Sequence, residues 1–251
     1  MARNDVKGKT VLIAGGAKNL GGLLSRNFAA KGANLVIHYN SDSSGADAIK
    51  TYADVRAAGA EAVLVQADLR SVSNISKLFD AGIEKFGGVD IAINTVGKVL
   101  KKPMVDTTEA EFDSMSDINS KVAYFFLQEA GKKLNDNGKI CTIVTSLLAA
   151  YTGFYATYGG MKAPVEHFTR AASKEFGSRG ISVTAVGPGP MDTPFFYGQE
   201  TPEAVAYHKS ASALGGLTDI QDIAPLIEFL VTDGWWITGQ TIFANGGYTT
   251  R

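Results

Sequence analysis

Residues 10–22 read TVLIAGGAKNLGG: an apolar run, a glycine-rich turn, and the start of a segment with helical spacing. TVLIA has no polar alternation, which is the pattern of a strand covered on both faces. In AGGAKNLGG (14–22), glycine permits a tight turn and lets backbone amides approach an anion such as a pyrophosphate. The N-terminus of the following helix would add positive potential there. The spacing G-x-G-x-x-G does not fit. Read as G-x3-G-x-G, the turn has Gly15 and Gly21 at its outer positions and Asn19 in the middle, with Lys18 and Leu20 beside it. Asparagine tolerates the left-handed backbone conformation, so the turn is expected to survive the replacement.

Further short apolar runs follow at 34–39, 61–67, 89–94, 139–145, 181–186 and 240–244, separated by segments long enough for helices. Seven strands with six crossovers predict an α/β protein, a doubly wound parallel sheet of Rossmann type with helices on both faces. Right-handed crossovers would bring the carboxyl ends of the strands to one edge, where ligands bind. No repeat, low-complexity tract or linker divides the 251 residues, so 1–251 are read as one domain. The irregular segment 187–217 carries prolines, glycines and the aromatic run Phe195, Phe196 and Tyr197, and is read as a long substrate loop or lid.

A formal net charge of −1 gives no reason to expect nucleic acid or an anionic membrane surface as a partner. No stretch reaches the length of a membrane span, and the first ten residues lack the apolar run of a signal peptide. One cysteine, Cys141, forms no internal disulfide and fits a reducing, cytoplasmic setting. His38, His167 and His208 form no cluster, so no metal is expected.

The second apolar run ends in HYNSDSS (38–44). An NAD site ordinarily places an acid here for the ribose 2′-hydroxyl. This chain offers Tyr39, Asn40 and Ser41, and Lys18 is near enough in the glycine turn to meet a 2′-phosphate. NADP(H) is therefore expected over NAD(H). Farther on, YATYGGMK (155–162) sets Tyr158 four positions and Tyr155 seven positions before Lys162. One and two helical turns put either phenol on the lysine's face, a plausible proton-donor pair. Gly159 and Gly160 lie between them and would let a cofactor approach closely.

In this order and spacing the motifs resemble the short-chain dehydrogenase/reductase family, in its branch of about 250 residues, over almost the whole chain. GGAKNLGG is similar to the family's cofactor loop. ADL (67–69) resembles the adenine-binding segment, with Asp68 and Leu69, and NTVG (94–97) stands where the family usually has N-N-A-G, matching at Asn94 and Gly97 but not at Thr95 and Val96. Asn119 sits at the family's helix asparagine, SLLA (146–149) resembles its serine segment, and Tyr158-x3-Lys162 resembles its catalytic pair. GPGPMDTP (187–194) is similar to its nicotinamide segment, with Pro188, Gly189, Met191 and Thr193, and WITGQTIFANGGY (236–248) to its C-terminal signature.

The resemblance implies a nicotinamide cofactor, hydride transfer at a carbonyl or alcohol, and a homotetramer or homodimer. It also implies that Tyr158 donates the proton, Lys162 assists it and holds the nicotinamide ribose, Ser146 orients the carbonyl, and Asn119 supports a water chain. Family members commonly place the serine thirteen residues before the tyrosine, at Thr145 here; the flanking pattern favours Ser146, with Thr145 as the alternative. Tyr151, Phe154, Tyr155, Phe195 and Phe196 point to an apolar ketone or 3-oxoacyl-type substrate. Two other readings stand beside this one: an enoyl reductase acting through Tyr155, and a catalytically silent cofactor-binding regulator.

Overall fold

The structure is a computed structural model and describes residues 5–150 and 152–250. Seven strands form one parallel sheet: β1 (Thr10–Ala14), β2 (Asn34–Tyr39), β3 (Ala62–Gln66), β4 (Val89–Asn94), β5 (Leu134–Ile143), β6 (Ser182–Pro188) and β7 (Thr241–Ala244). Their spatial order is β3-β2-β1-β4-β5-β6-β7. The helices are α1 (Asn19–Ala30), α2 (Gly45–Ala57), α3 (Val72–Phe86), α4 (Glu109–Ser116), α5 (Val122–Lys133), α6 (Ala156–Glu175), α7 (Pro194–Tyr197), α8 (Pro202–Ala211) and α9 (Ile220–Leu230).

The central strands explain why their apolar runs are unbroken. Along β1, Val11 and Ile13 join one core with Leu24 and Phe28 of α1 and Ile223 and Ile227 of α9. Leu12 and Ala14 join the opposite core with Leu78 and Phe79 of α3 and Phe126 of α5. Successive side chains point to opposite faces, so a strand covered on both must be apolar at every position. Each fully buried leucine, isoleucine or phenylalanine contributes about 1.5–3 kcal/mol relative to exposure. At the sheet's edges this demand relaxes: β7 is half-buried throughout, and β3 ends exposed at Gln66.

The order places β1 beside β4 while their crossovers leave in opposite directions, the arrangement that opens a crevice at the carboxyl ends. Register aligns those ends, with Ala14 opposite Asn94, Asn94 opposite Thr142, and Ile143 opposite Val186. The loops after β1, β4, β5 and β6 therefore meet at one edge.

Segment 187–217 differs from the expected long loop. Gly187 and Pro188 finish β6, and two helices occupy about half of the remainder. Pro194 and Pro202, read as breakers, instead stand at the first positions of α7 and α8, where a missing N–H costs nothing. Among the described residues, no helix is long and apolar enough to cross a membrane.

Candidate active site

A cleft of about 580 Å³ runs along the carboxyl edge from the glycine turn to Tyr158 and the lid. Its first wall is the turn after β1. Gly15 has φ +77° and Asn19 φ +48°, so asparagine does occupy the left-handed conformation expected of it. Thr95, where the family usually has asparagine, donates its hydroxyl to Ala14 O at 2.9 Å and locks the β4 loop onto this turn. The start of α1 has no side-chain cap and no acid in its first turn, which leaves an uncapped helix N-terminus facing the cleft.

His38, on β2, supports the same turn from below. The Gly15 N–H donates to its Nδ1 at 3.0 Å, and its Nε2 lies 2.8 Å from Ala67 O. That pair of partners requires the neutral ring, with the proton on Nε2. Burial, the largest influence, holds the His38 pKa below its usual value. On acidification through about pH 6.5 the unfolded chain takes up this proton while the folded chain resists it. Stability conferred by neutral His38 is thus complete above that pH and declines below it. We expect the melting temperature to fall between pH 7 and pH 5 more steeply in the wild type than in His38→Gln, as read by thermal unfolding at both pH values.

At the far end, Tyr158 and Lys162 share one face of α6. Tyr158 keeps some surface open to the cleft, yet its phenol is enclosed, and burial pushes it up to about 12 against the lowering effect of a hydrogen bond with Thr145. Lys162 is buried; its ammonium donates to Ile143 O at 2.8 Å and to Val96 O at 3.4 Å, and burial draws it down to about 8. Asn119 lies in a π-helical turn (Asp117–Lys121) between α4 and α5. Its Nδ2 donates to Lys98 O and Met115 O, and its Oδ1 accepts from the Lys98 N–H at 3.1 Å. A β-carbon on Gly97 would come within 3.0 Å of Asn119 Oδ1 and 3.1 Å of Lys162 Nζ, so a glycine is needed for these groups to gather.

A glycine turn against an uncapped helix and a Tyr–Lys face thus stand along one cleft, with Asn119 buried behind its lining. The family model described as Enoyl-(Acyl carrier protein) reductase matches residues 15–249 of the chain. The chain is a short-chain dehydrogenase/reductase. It is 30% identical to a short-chain type dehydrogenase/reductase of Picea abies, over 96% of this chain and 92% of that protein. A hydroxynaphthalene reductase-like protein of Metarhizium brunneum is 31% identical, with 98% and 97% covered. The crystal structure of a Burkholderia cenocepacia protein with bound NADP superimposes with a TM-score of 0.97 at 63% identity, covering 100% of this chain and 97% of that one.

Within this short-chain dehydrogenase/reductase, several residues named from the sequence lie elsewhere than expected. Ser146 lines the cleft as expected, but its hydroxyl donates to Gly187 O at 3.0 Å and accepts from Asn245 Nδ2 at 2.9 Å, tying β5 to β6 and the C-terminal segment. Thr145 is the hydroxyl close enough to Tyr158 to counter the effect of burial on the phenol, and it also accepts from the Leu147 N–H at 3.3 Å. The reason is strand alternation. Thr145 is extended, at φ −153° and ψ 148°, so the side chains on either side of its peptide point oppositely.

Phe154 is 56% exposed and lies outside the cleft lining, with its backbone in the left-handed region at φ +69°. Tyr155, Phe195 and Phe196 do line the cleft, and Tyr151 lies outside the described residues. Gly159 and Gly160 are not in the lining, and a β-carbon on either would meet nothing within 4 Å, so close cofactor approach does not account for them.

At the end of the cleft beside β2, Lys18, Tyr39, Asn40 and Leu69 line it, joined by Ser44 and Arg70. Ser41 turns instead to Ser43, and Asp68 is gripped by the Arg70 guanidinium, which holds its carboxyl below the usual range. Asp42, the nearest acid, accepts from Gln66 Nε2 at 2.9 Å and is not in the lining. Asn94 is buried and accepts from the Val96 N–H, shaping the β4 turn from within. Val96, Gly97, Pro188, Gly189, Met191 and Thr193 line the cleft toward Tyr158 and Lys162. His38, Arg70, His208 and Tyr248 also line the cleft, brought there by long-range packing.

Proposed function

We propose that this enzyme is an NADP(H)-dependent ketoreductase that acts on an apolar ketone or 3-oxoacyl-type carbonyl. The carrying observation is the Tyr158 phenol beside Thr145, one helical turn from buried Lys162 on α6, in a cleft that begins at the glycine turn. The donor set fits the cofactor: an uncapped helix N-terminus would meet the pyrophosphate, the lining beside β2 holds no acid, and Lys18 would meet a 2′-phosphate. NADP bound in the Burkholderia cenocepacia relative supports the choice over NAD.

When bound, the cofactor supplies hydride to the carbonyl carbon or accepts it from the alcohol. Tyr158, kept protonated by burial through the neutral range, donates its proton to the carbonyl oxygen as charge develops there. Thr145 offers a hydroxyl to the same oxygen or to the phenol. Lys162 is placed to hold the nicotinamide ribose, and Asn119 holds the backbone beside it. The enoyl-reductase reading is not favoured, because the Tyr155 phenol is committed to Glu200. Exposed Phe112 on α4 and Tyr124 on α5 support the expected homo-oligomer.

The test follows NADPH and NADH consumption with a panel of apolar ketones and enones, for the wild type, Thr145→Val and Ser146→Ala. Ketones with NADPH should give the highest kcat/KM. Thr145→Val should lower kcat by roughly 10²-fold, in the range for one lost donor to a developing oxyanion. Ser146→Ala should spare kcat more but cost about 1–3 kcal/mol of stability, because Asn245 loses a buried partner. Turnover confined to enones, or a larger kcat loss in Ser146→Ala, would overturn the assignment.

A further inference from the structure

Against the substrate end of the cleft, away from the proton-transfer pair, the structure buries a carboxylate. Glu200 lies between α7 and α8, and its side chain has no exposed surface. The Lys101 ammonium, from the loop after β4, lies 2.5 Å from its Oε2. The Tyr155 phenol, at the start of α6, donates to its Oε1. His208 of α8 places Nε2 3.7 Å from Oε2, while its Nδ1 lies 2.8 Å from the Tyr248 hydroxyl in the C-terminal segment. The Lys101 N–H also donates to Gln199 Oε1 at 3.1 Å.

The β4 loop, the start of α6 and α8 therefore converge on one carboxylate, and the C-terminal segment joins them through His208. A buried carboxylate is tolerated only when paired and hydrogen-bonded, and both oxygens of Glu200 are engaged. The same bonds decide what a substrate meets. The Tyr155 hydroxyl is turned into the cluster, so the ring lines the cleft together with Leu147, Phe195 and Phe196.

We propose that Glu200 is a positioning residue that pins the lid over the substrate end and fixes Tyr155 as an apolar wall of the pocket rather than a proton donor. The cluster keeps its ion pair out of the cleft, and the pocket so formed selects uncharged, apolar groups beside the carbonyl. The kinetic part of this inference rests on the ketoreductase reading; the pinning of the lid does not.

Two measurements on the full chain separate them: amide hydrogen exchange across residues 194–211, and steady-state kinetics with NADPH and an apolar ketone. The variants are Glu200→Ala, Glu200→Gln and Tyr155→Phe. In Glu200→Ala, exchange in 194–211 should rise at least about 10-fold while β1 and α1 stay as in the wild type, since only the lid is released. The ketone KM should rise at least about 10-fold with kcat changed less than about 3-fold, the signature of lost substrate placement. Glu200→Gln keeps an acceptor for the phenol but loses the ion pair, and should fall between. Tyr155→Phe should raise exchange less than Glu200→Ala and shift KM more than kcat.

Wild-type exchange in the lid of Glu200→Ala, or a kcat loss in Tyr155→Phe matching that of Tyr158→Phe, would overturn the proposal. If the wild type turns over no ketone and lid exchange still rises, the pinning stands and the reaction assignment falls. Should Glu200→Ala not fold, lid exchange in Glu200→Gln and Tyr155→Phe decides: a rise supports the proposal and wild-type values refute it.

Discussion

Tyr158→Phe should lose 10²–10⁴-fold in kcat, the usual range for a positioned general acid, while binding NADPH within about 3-fold of the wild type. The substitution removes one oxygen and leaves the ring, whose centroid lies 6.4 Å from that of Phe195, so the cleft wall keeps its shape. Stopped-flow or steady-state NADPH oxidation gives kcat, and fluorescence titration gives cofactor affinity. The pH dependence has a definite sign. With the phenol pushed up to about 12, the proton-donating form persists through neutrality, so ketone reduction should show no loss from Tyr158 between pH 6 and 8. Alcohol oxidation needs the phenolate and should accelerate as pH rises. An ammonium directed at a phenol would lower the phenol's pKa. In the structure the ammonium is directed at the Ile143 and Val96 carbonyls, and burial outweighs any such help. A Tyr155→Phe variant that loses more kcat than Tyr158→Phe would transfer the proton-donor role to Tyr155.

Gly21→Ala should be the most damaging single-methyl change in the nucleotide half. A β-carbon at that position would lie 2.1 Å from Gly15 O, 2.9 Å from Gly15 C and 3.0 Å from Thr95 Oγ1. Two of these are backbone atoms, so no rotamer change relieves the clash, and either the turn or the start of α1 must move. Overpacking typically costs 1–3 kcal/mol, and a backbone clash belongs at or above the top of that range. Because the displaced atoms are those that would face the pyrophosphate, NADPH affinity should fall at least about 10-fold, each tenfold being about 1.4 kcal/mol. Gly160→Ala supplies the contrast. Its β-carbon meets nothing within 4 Å, and it lies inside α6, so the substitution should stabilise the chain by up to about 1 kcal/mol. Thermal unfolding and NADPH titration of both variants test the pair; equal effects would show that the turn tolerates repacking.

The sheet was legible because its information is local. Seven apolar runs in TVLIA-like form became seven parallel strands, since a strand covered on both faces must be apolar at every position. The boundaries of β1, β2 and β4 match the runs residue for residue. Tyr158 and Lys162 were legible for the same reason, as helical spacing alone puts them on one face. Segment 187–217 was harder: its prolines read as breakers from composition, whereas the structure uses two of them to start helices.

Other parts of the site depend on separations that no local pattern encodes. Thr145 and Ser146 are adjacent hydroxyls, and only the direction of the extended chain at the end of β5 turns one to Tyr158 and the other to Gly187 and Asn245. His38 became a prop for the glycine turn because sheet order sets β2 beside β1. Glu200 meets Tyr155 across 45 positions of sequence and Lys101 across 99, and neither spacing has a period to read. By itself the sequence determined the fold, the cofactor turn and the Tyr–Lys face, because each follows from the repeat of a strand or a helix. Tertiary structure alone decided which hydroxyl serves the tyrosine and which carboxylate pins the lid, because those depend on where separate elements bring their side chains together.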